Sequence, residues 1–211
     1  MNRILSRAAV GLTAVLAVAV TVSACSSSQS NSKKPVADIS TLTGKMTQVT
    51  LDSGFTTALT TLKLTPGTTG TATLDNGVLS FPITGGHVTY YKPGTVSPFV
   101  QGDIQHQGSG ISLTAGSTKV ELTNFDIDPG ASKLYGDVSV NGSQAASHAY
   151  LFYLDGTTLK ALQTVGNTAI LEGTKVEISP DAAGLLNKTF NTDAVKADLL
   201  VGIAKITVNV K

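Results

Sequence analysis

Short apolar alternations separated by turn residues run from Ala72 to Leu154, and they constrain the fold more than any other feature of the chain. Alternation with a period of two is typical of antiparallel strands that bury one face. Asp75-Asn76-Gly77 predicts a tight hairpin, because Asn-Gly tolerates the positive φ angles of a two-residue turn. The regular spacing of the breaks favours an antiparallel β-sandwich or a partly open barrel. Later breaks are predicted at Gly85-Gly86, Lys92-Pro93-Gly94, Gly108-Ser109-Gly110, Ala115-Gly116-Ser117, Asp128-Pro129-Gly130 and Asn141-Gly142.

Two short helices are predicted, one on each side of these strands. The first follows Asp52-Ser53, and the second follows Ser179-Pro180-Asp181. Ser179 suits the N-cap of the second helix, and Pro180 suits its first position. The fold class is therefore mainly β with two short flanking helices. The apolar positions with helical period are Leu51, Phe55, Ala58, Leu59 and Leu62 in the first helix, and Ala182, Leu185, Leu186 and Phe190 in the second.

The two helical segments align with each other without gaps. Val49-Thr50-Leu51-Asp52 falls opposite Val176-Glu177-Ile178-Ser179. This alignment suggests an internal duplication of a strand-helix-strand unit, with return strands at 78–83 and 203–210. A chance likeness between two short units is the alternative.

The first 25 residues have the organisation of a signal peptide. Arg3 and Arg7 precede an apolar stretch from Ala8 to Val22, which is shorter than the roughly 20 residues that a membrane-spanning helix needs. Val22-Ser23-Ala24-Cys25 resembles the lipobox of bacterial lipoproteins. The resemblance implies that residues 1–24 are removed and that Cys25 carries a diacylglyceryl group. An ordinary signal peptide with a coincidental cysteine is the alternative.

The sequence predicts three parts. The signal peptide covers 1–24, the lipidated cysteine with a flexible Ser-rich tether covers 25–35, and a single β-rich domain covers 36–211. The expected location is the extracytoplasmic side of the cell membrane, or the outer membrane in a double-membraned cell. Because Cys25 is the only cysteine, the domain has no disulfide, and its stability must come from packing.

Charge excludes one class of partner. Removal of Arg3 and Arg7 with the signal peptide leaves 13 of the 15 basic residues against 14 acidic ones. A near-neutral chain lacks the basic surface that nucleic-acid binding requires. The expected partners are the membrane, through the lipid anchor, and an apolar small molecule or another envelope protein.

His106 is the strongest candidate for a functional side chain. Period two places Val100, Ile104 and His106 on one face of a strand, with Phe99, Asp103, Gln105 and Gln107 on the other. A lone histidine on an apolar face is typical of a hydrogen-bonded core or rim residue. His87 is in phase with Tyr91, and His148 is in phase with Tyr150 and Phe152. These two histidines converge with His106 only if the fold brings the three strands together.

Other polar groups give no catalytic or metal-binding constellation. Asp126 and Asp128 share a strand face and could join Asn124 in a calcium site, but Asp128-Pro129-Gly130 favours a turn. Ser109 lies in Gly-Ser-Gly rather than in a Gly-x-Ser-x-Gly elbow. We therefore predict a binding or structural protein with no cofactor and no metal. An enzyme, the third class, would need a polar cluster in a cleft with displaced pKa values, for which the sequence gives no support.

The central stretch resembles uncharacterised bacterial surface proteins and, more distantly, the haem-transport-associated domain. The resemblance covers the central third to half of the chain, from Gly77 through Gly102-Asp103-Ile104-Gln105-His106-Gln107-Gly108 to Asp128. The corresponding strand of the haem-transport-associated domain has a Gly-x-Val-x-Phe-x-Gly-His pattern. When this pattern is aligned from Gly102, His106 falls at its aromatic position and Ser109 falls at its histidine position. The tyrosine that haem binding implies near the first helix has no match between Phe55 and Leu62.

These observations leave two functions open. In the first, the domain is a binding or structural module of the cell envelope. In the second, it carries an apolar ligand in a cavity; a lipid is the favoured ligand and haem the less favoured one. A filled core would favour the first function, and an apolar cavity lined by tyrosine and phenylalanine would favour the second.

Overall fold

A 13-stranded antiparallel sheet forms most of the structure, which is a computed structural model that describes residues 33–210. Cys25 and the predicted signal peptide lie outside the described residues. The helices are α1 (Ser53–Thr61) and α2 (Pro180–Phe190). The strands are β1 (Ala37–Ile39), β2 (Lys45–Leu51), β3 (Thr65–Gly70), β4 (Thr73–Asp75), β5 (Val78–Pro82), β6 (Gly85–Tyr90), β7 (Val100–Ala115), β8 (Thr118–Asp128), β9 (Lys133–Val140), β10 (Ser143–Asp155), β11 (Gln163–Val165), β12 (Thr168–Ile178) and β13 (Leu200–Asn209).

The sheet curls because one stretch of chain pairs with two distant strands. β5 pairs with β2, and β6, which is separated from β5 by two residues, pairs with β7. Between them, the backbone N–H of Thr84 donates to the carbonyl of Gln105. The path β7-β8-β9-β10-β12-β13-β2-β5 therefore leads back to β7. This curled sheet confirms the predicted mainly β fold and its partly open barrel.

Several predicted turns are present. Asn76 and Gly77 both have positive φ, at 49° and 76°, and they join β4 to β5. The turns at Gly116, Pro129-Gly130 and Asn141-Gly142 join β7 through β10 in sequence. Local turn chemistry was therefore sufficient to predict these connections.

Two of the predicted breaks are wrong. Gly85 and Gly86 belong to β6, and Gly108-Ser109-Gly110 lies inside the 16-residue β7. A Cβ on Gly86 would lie 2.2 Å from the carbonyl oxygen of Asp103, so this glycine permits close approach of two strands. At Gly108, β7 contains a bulge. His106 pairs with Phe125 and Gly110 pairs with Thr123, so β7 advances four residues where β8 advances two.

Both predicted helices are confirmed, as is the predicted N-cap Ser179, although Leu51 belongs to β2 rather than to α1. Asp52 Oδ1 accepts the N–H of Gly54 at 2.7 Å, and Ser179 Oγ accepts the N–H of Ala182 at 3.0 Å. Pro180 opens α2, and Asn191 ends it in the left-handed conformation. Within residues 33–210, no helix has the length and apolar character needed to cross a membrane.

The two strand-helix-strand units share a simple arrangement. In each, a strand leads into a helix capped by a side chain, and the return strand pairs antiparallel with the first strand. β5 pairs with β2 in one unit, and β13 pairs with β12 in the other. Their common origin by duplication stays a prediction.

Candidate functional site

A cavity of about 430 Å³ lies inside the curled sheet. Small-molecule sites have volumes of roughly 300–1,000 Å³ and mainly apolar walls with a few polar groups. This cavity has that character, so the core is not filled. Its aliphatic wall includes Val49, Ile104, Ile127, Leu134, Val176 and Val201.

The cavity opens at the end of the sheet away from the helices. We call this end the mouth, and it is formed by the loop 91–99, the turn 129–132 and the segment 156–162. The exposed residues among those that line the cavity all lie on this side. They are Ser97, Tyr153, Thr157, Thr164 and Val210.

One carboxylate lies at the mouth. Asp155 accepts the N–H of Thr157 at 2.8 Å and pairs with Lys175 Nζ at 3.0 Å. The hydrogen bonds from Thr157, together with Lys175, lower the pKa of Asp155 to about 2. Asp155 is therefore ionised at neutral pH and already paired.

The opposite end is closed by the helices and a filled core. Leu113, Leu122 and Val138 are buried on that side and do not line the cavity. Between α1 and α2 only a crevice of about 30 Å³ remains, lined by Phe55, Leu59, Leu62, Leu64, Leu186 and Val195, among others. α1 carries no tyrosine, and this crevice is too small for a macrocyclic ligand.

An aromatic cluster forms the floor of the cavity. Phe81 and Phe125 have ring centroids 5.3 Å apart at 79°, and Phe125 and Phe152 lie 6.4 Å apart at 78°. Phe81 also meets the His106 ring edge-on, at 6.3 Å. These T-shaped contacts are favourable for aromatic pairs and hold the rings in fixed orientations.

His106 supplies the main polar group of the floor. Its side chain is 1% exposed, and its Nε2 lies 2.8 Å from Thr47 Oγ1 on β2. Burial lowers the pKa of His106 to about 4, although the backbone carbonyls of Phe125 and Ile104 oppose that shift. The ring is therefore neutral at pH 7. Its Nδ1 atom is buried and has no hydrogen-bond partner.

The three histidines do not converge. His87 lies on the outer face, where its Nδ1 pairs with Asp103 Oδ1 at 2.5 Å. His148 is also exposed and stacks on Tyr135, with ring centroids 4.5 Å apart. Only His106 lies in the interior, as its apolar phase with Val100 and Ile104 predicted.

Two phase predictions are corrected by the structure. A register shift in β10 between Tyr150 and Phe152 turns Phe152 into the cavity, while His148 and Tyr150 stay near Tyr135 on the outer face. Phe99 precedes β7 and lines the mouth instead of following the outward phase of Asp103. Irregular backbone at both places breaks the period of two.

Two of the three proposed calcium ligands have structural partners, whereas Oδ1 of Asp126 is buried without a hydrogen-bond partner. Asn124 Oδ1 accepts the N–H of Gly108, and its Nδ2 donates to Asp137, so it stabilises the β7 bulge. Asp128 Oδ1 accepts the N–H of Ala131, as expected for a turn. Among residues 33–210, no three histidine, cysteine, aspartate or glutamate side chains lie close enough together to hold a metal ion.

Ser109 is a structural residue. It is 1% exposed, and its hydroxyl donates to the backbone carbonyl of His106 at 3.0 Å. That contact fixes the bulge of β7 next to His106. The site therefore offers shape and hydrogen bonding, with no activated nucleophile around this serine.

Sequence reasoning missed Thr47 and the segment 156–162. Thr47 is 59 positions from His106, and nothing near either residue indicates that their side chains meet. The segment 156–162 lacks regular strand pattern, yet Leu159 and Leu162 line the mouth. The one available signal in the sequence was the period-two phase that Thr47 shares with the apolar residues Val49 and Leu51.

The fold matches a solved domain of a bacterial protein. The crystal structure of the C-terminal domain of HtaA from Corynebacterium glutamicum superimposes with a TM-score of 0.54. The match has 15% sequence identity and covers 80% of this chain and 98% of that domain. The predicted distant likeness to haem-transport-associated domains is thus confirmed at the level of the fold.

A second solved structure is a domain-swapped dimer of a histidine-to-alanine variant of the same domain. It has 15% identity, a TM-score of 0.48, and coverage of 75% of this chain and 92% of the other. No protein-family model matches the sequence, and no curated protein matches it.

Proposed function

We propose that the domain binds an apolar small molecule, such as a lipid, inside the curled sheet. The cavity of about 430 Å³ carries this proposal. A protein with a purely structural role gains stability by filling such a space, since empty apolar volume weakens packing. The open mouth gives a ligand a route from outside to the aromatic floor.

The floor supports an amphiphilic ligand. Thr47 and His106 pair with each other, and the remaining nitrogen of His106 has no partner. Buried polar groups without partners are rare, and each one costs free energy. Nδ1 of His106 has less than 1 Å² of accessible surface, so a ligand reaches it only when neighbouring floor side chains shift; its apolar part would then lie against the aliphatic wall.

The proposed location is the cell envelope. Cys25 follows a lipobox-like sequence, and the HtaA fold supports a binding role at a bacterial surface. Labelling cells with radioactive palmitate should mark the wild-type protein and leave Cys25→Ala unmarked. Label in both proteins, or in neither, would contradict lipidation of Cys25 and leave ligand binding as a separate question.

Haem is disfavoured as the ligand, although the fold is shared with the HtaA domain. The chain lacks a tyrosine on α1, and the crevice there is about 30 Å³. His106 remains as an aromatic nitrogen donor at the floor, but it is already engaged with Thr47 through Nε2. Titration with haemin should therefore give no shift of the Soret band.

The decisive experiment compares two neighbouring substitutions. Ala204 lines the cavity, whereas Ile203, the next residue of β13, faces outward and is 37% exposed. A fluorescent fatty acid should bind the chain Lys33–Lys211, which contains the whole described core. Ala204→Phe should weaken binding about tenfold by occupying the cavity, and Ile203→Phe should leave binding unchanged.

Native mass spectrometry of the same protein adds a second readout. A retained small molecule that Ala204→Phe loses and Ile203→Phe keeps would support the proposal. Absence of fatty-acid binding by the wild type, or equal binding by both variants, would overturn it.

A further inference from the structure

Exposed apolar side chains gather around the mouth. Among residues 33–210, six large hydrophobic residues are exposed, and three valines of this group flank the mouth. Val36 and Val165 are each 62% exposed, and Val210 is 38% exposed. Val210 lies against the β11–β12 turn, where its N–H donates to the carbonyl of Asn167 at 3.0 Å.

The chain also enters the domain at this rim. The N–H of Val36 donates to the carbonyl of Tyr90 at 2.8 Å, and Ala37 and Ile39 of β1 line the cavity. Residues Lys33 and Lys34 are exposed just before Val36. The first described residues, 33–36, therefore lie beside the mouth rather than beside the helices.

Tether length limits how far the mouth can be from an anchored Cys25. Cys25 and Lys33 are eight positions apart, and a fully extended chain of eight residues spans at most about 28 Å. A lipid anchor at Cys25 would therefore hold the rim near the membrane surface. Lys33 and Lys34 add charge that favours anionic lipid headgroups.

We propose that the mouth is a membrane-docking surface, with Val36 and Val165 inserting among the headgroups of an anionic phospholipid bilayer. The cavity then opens toward the bilayer and exchanges its ligand without passing it through water. The docking itself does not require the cavity to hold a lipid, because Val36 and Val165 do not line the cavity. Exposed apolar patches with a polar rim are typical of such interaction surfaces.

The test uses vesicles and a matched pair of double variants. The unlipidated chain Lys33–Lys211 is mixed with vesicles of phosphatidylglycerol and phosphatidylcholine, and bound protein is measured by cosedimentation. Val36→Asp with Val165→Asp should lower the partition coefficient about tenfold or more. Leu74→Asp with Ile203→Asp should leave it unchanged, since these residues are 38% and 37% exposed and lie away from the mouth.

A second measurement uses the lipidated protein in its membrane. Because the only cysteine is consumed by acylation, Val165→Cys or Leu74→Cys adds a single free thiol for an environment-sensitive dye. The dye at position 165 should report an apolar environment, and the dye at position 74 should report water. The proposal would be overturned if the dye reported similar environments at positions 165 and 74, or if the wild-type protein did not bind vesicles.

Failure here is distinguishable from failure of ligand binding. The fluorescent fatty acid is measured without vesicles, and the Val36→Asp, Val165→Asp variant should bind it like the wild type. Loss of both activities would indicate a misfolded variant, and circular dichroism at 215 nm detects such misfolding. In that case the vesicle test is repeated with Val36→Ser and Val165→Ser, which introduce smaller polar side chains. Retained vesicle binding in that folded variant would also overturn the proposal.

Discussion

Nε2 of His106 on β7 and Oγ1 of Thr47 on β2 lie 2.8 Å apart across the interior of the curled sheet. Both residues are nearly inaccessible, at 1% and 4% exposure. The pair therefore couples two strands that are not neighbours in the sheet. It also places the only hydrogen-bonded histidine–threonine contact of the described residues at the cavity floor.

Removing the hydroxyl of Thr47 should destabilise the fold. In Thr47→Val, His106 loses its side-chain partner inside an apolar site, and the free energy of unfolding should fall by about 1–3 kcal/mol. Thr50→Val on the same strand is the control, because Thr50 is exposed and its substitution should change stability by less than about 0.5 kcal/mol. Urea denaturation at pH 7 measures both. Equal losses in the two variants would show that the buried pair contributes nothing specific.

Stability should depend on pH through His106. Its pKa is about 4 in the fold and 6.5 in the unfolded chain, so the unfolded state binds more protons between these values. Stability is then complete above pH 6.5 and decreases as the pH falls toward 4, by about 3 kcal/mol at most. Urea denaturation at several pH values should show this slope in the wild type and a much flatter one in His106→Gln.

The carboxylate of Asp126 acts in the opposite direction, starting at pH 3.8. Burial, together with Asp103 and Asp128, raises the pKa of Asp126, so just above pH 3.8 the folded state keeps a proton that the unfolded chain has lost. Asp126→Asn should therefore make the slope steeper at the acidic end of the range. The pKa of Asp155 is lowered to about 2, so this residue affects stability only below pH 3.8. It therefore does not contribute to the slope between pH 4 and 6.5. A slope that survives in His106→Gln would disprove the assignment.

Two glycines should respond to alanine with opposite signs. Gly184 is exposed in α2, and a Cβ there meets no atom within 4 Å, so Gly184→Ala should stabilise the fold by about 0.5–1 kcal/mol. A Cβ on Gly110 would lie 2.2 Å from the carbonyl oxygen of Leu122, and Gly110→Ala should cost roughly 3 kcal/mol or more. Thermal denaturation distinguishes the two outcomes. A stable Gly110→Ala protein would mean that β7 and β8 do not approach this closely.

Features encoded over a few adjacent residues were predictable. Asn76-Gly77 adopts two positive φ angles, and Ser179-Pro180 starts α2, because both depend on local sterics and local hydrogen bonds. The inward phase of Ile104 and His106 also followed from period two, since no bulge interrupts β7 between Val100 and His106.

Features that depend on a neighbouring strand were not predictable. Gly86 and Gly110 resemble turn glycines in the sequence, but each gives room to the backbone of an adjacent strand. The shift between Tyr150 and Phe152 reverses the phase of β10 and brings Phe152 to the floor. A sequence pattern does not contain the partner strand that creates these requirements.

The sequence by itself determined a mainly β chain with two capped helices, and it placed His106 on an apolar face. It did so because alternation, turn residues and caps act through contacts within a few residues. Only the tertiary structure decided that His106 meets Thr47 and that a cavity of about 430 Å³ lies above them. Those outcomes depend on how strands far apart in sequence curl around a shared interior, and on how completely their side chains fill it.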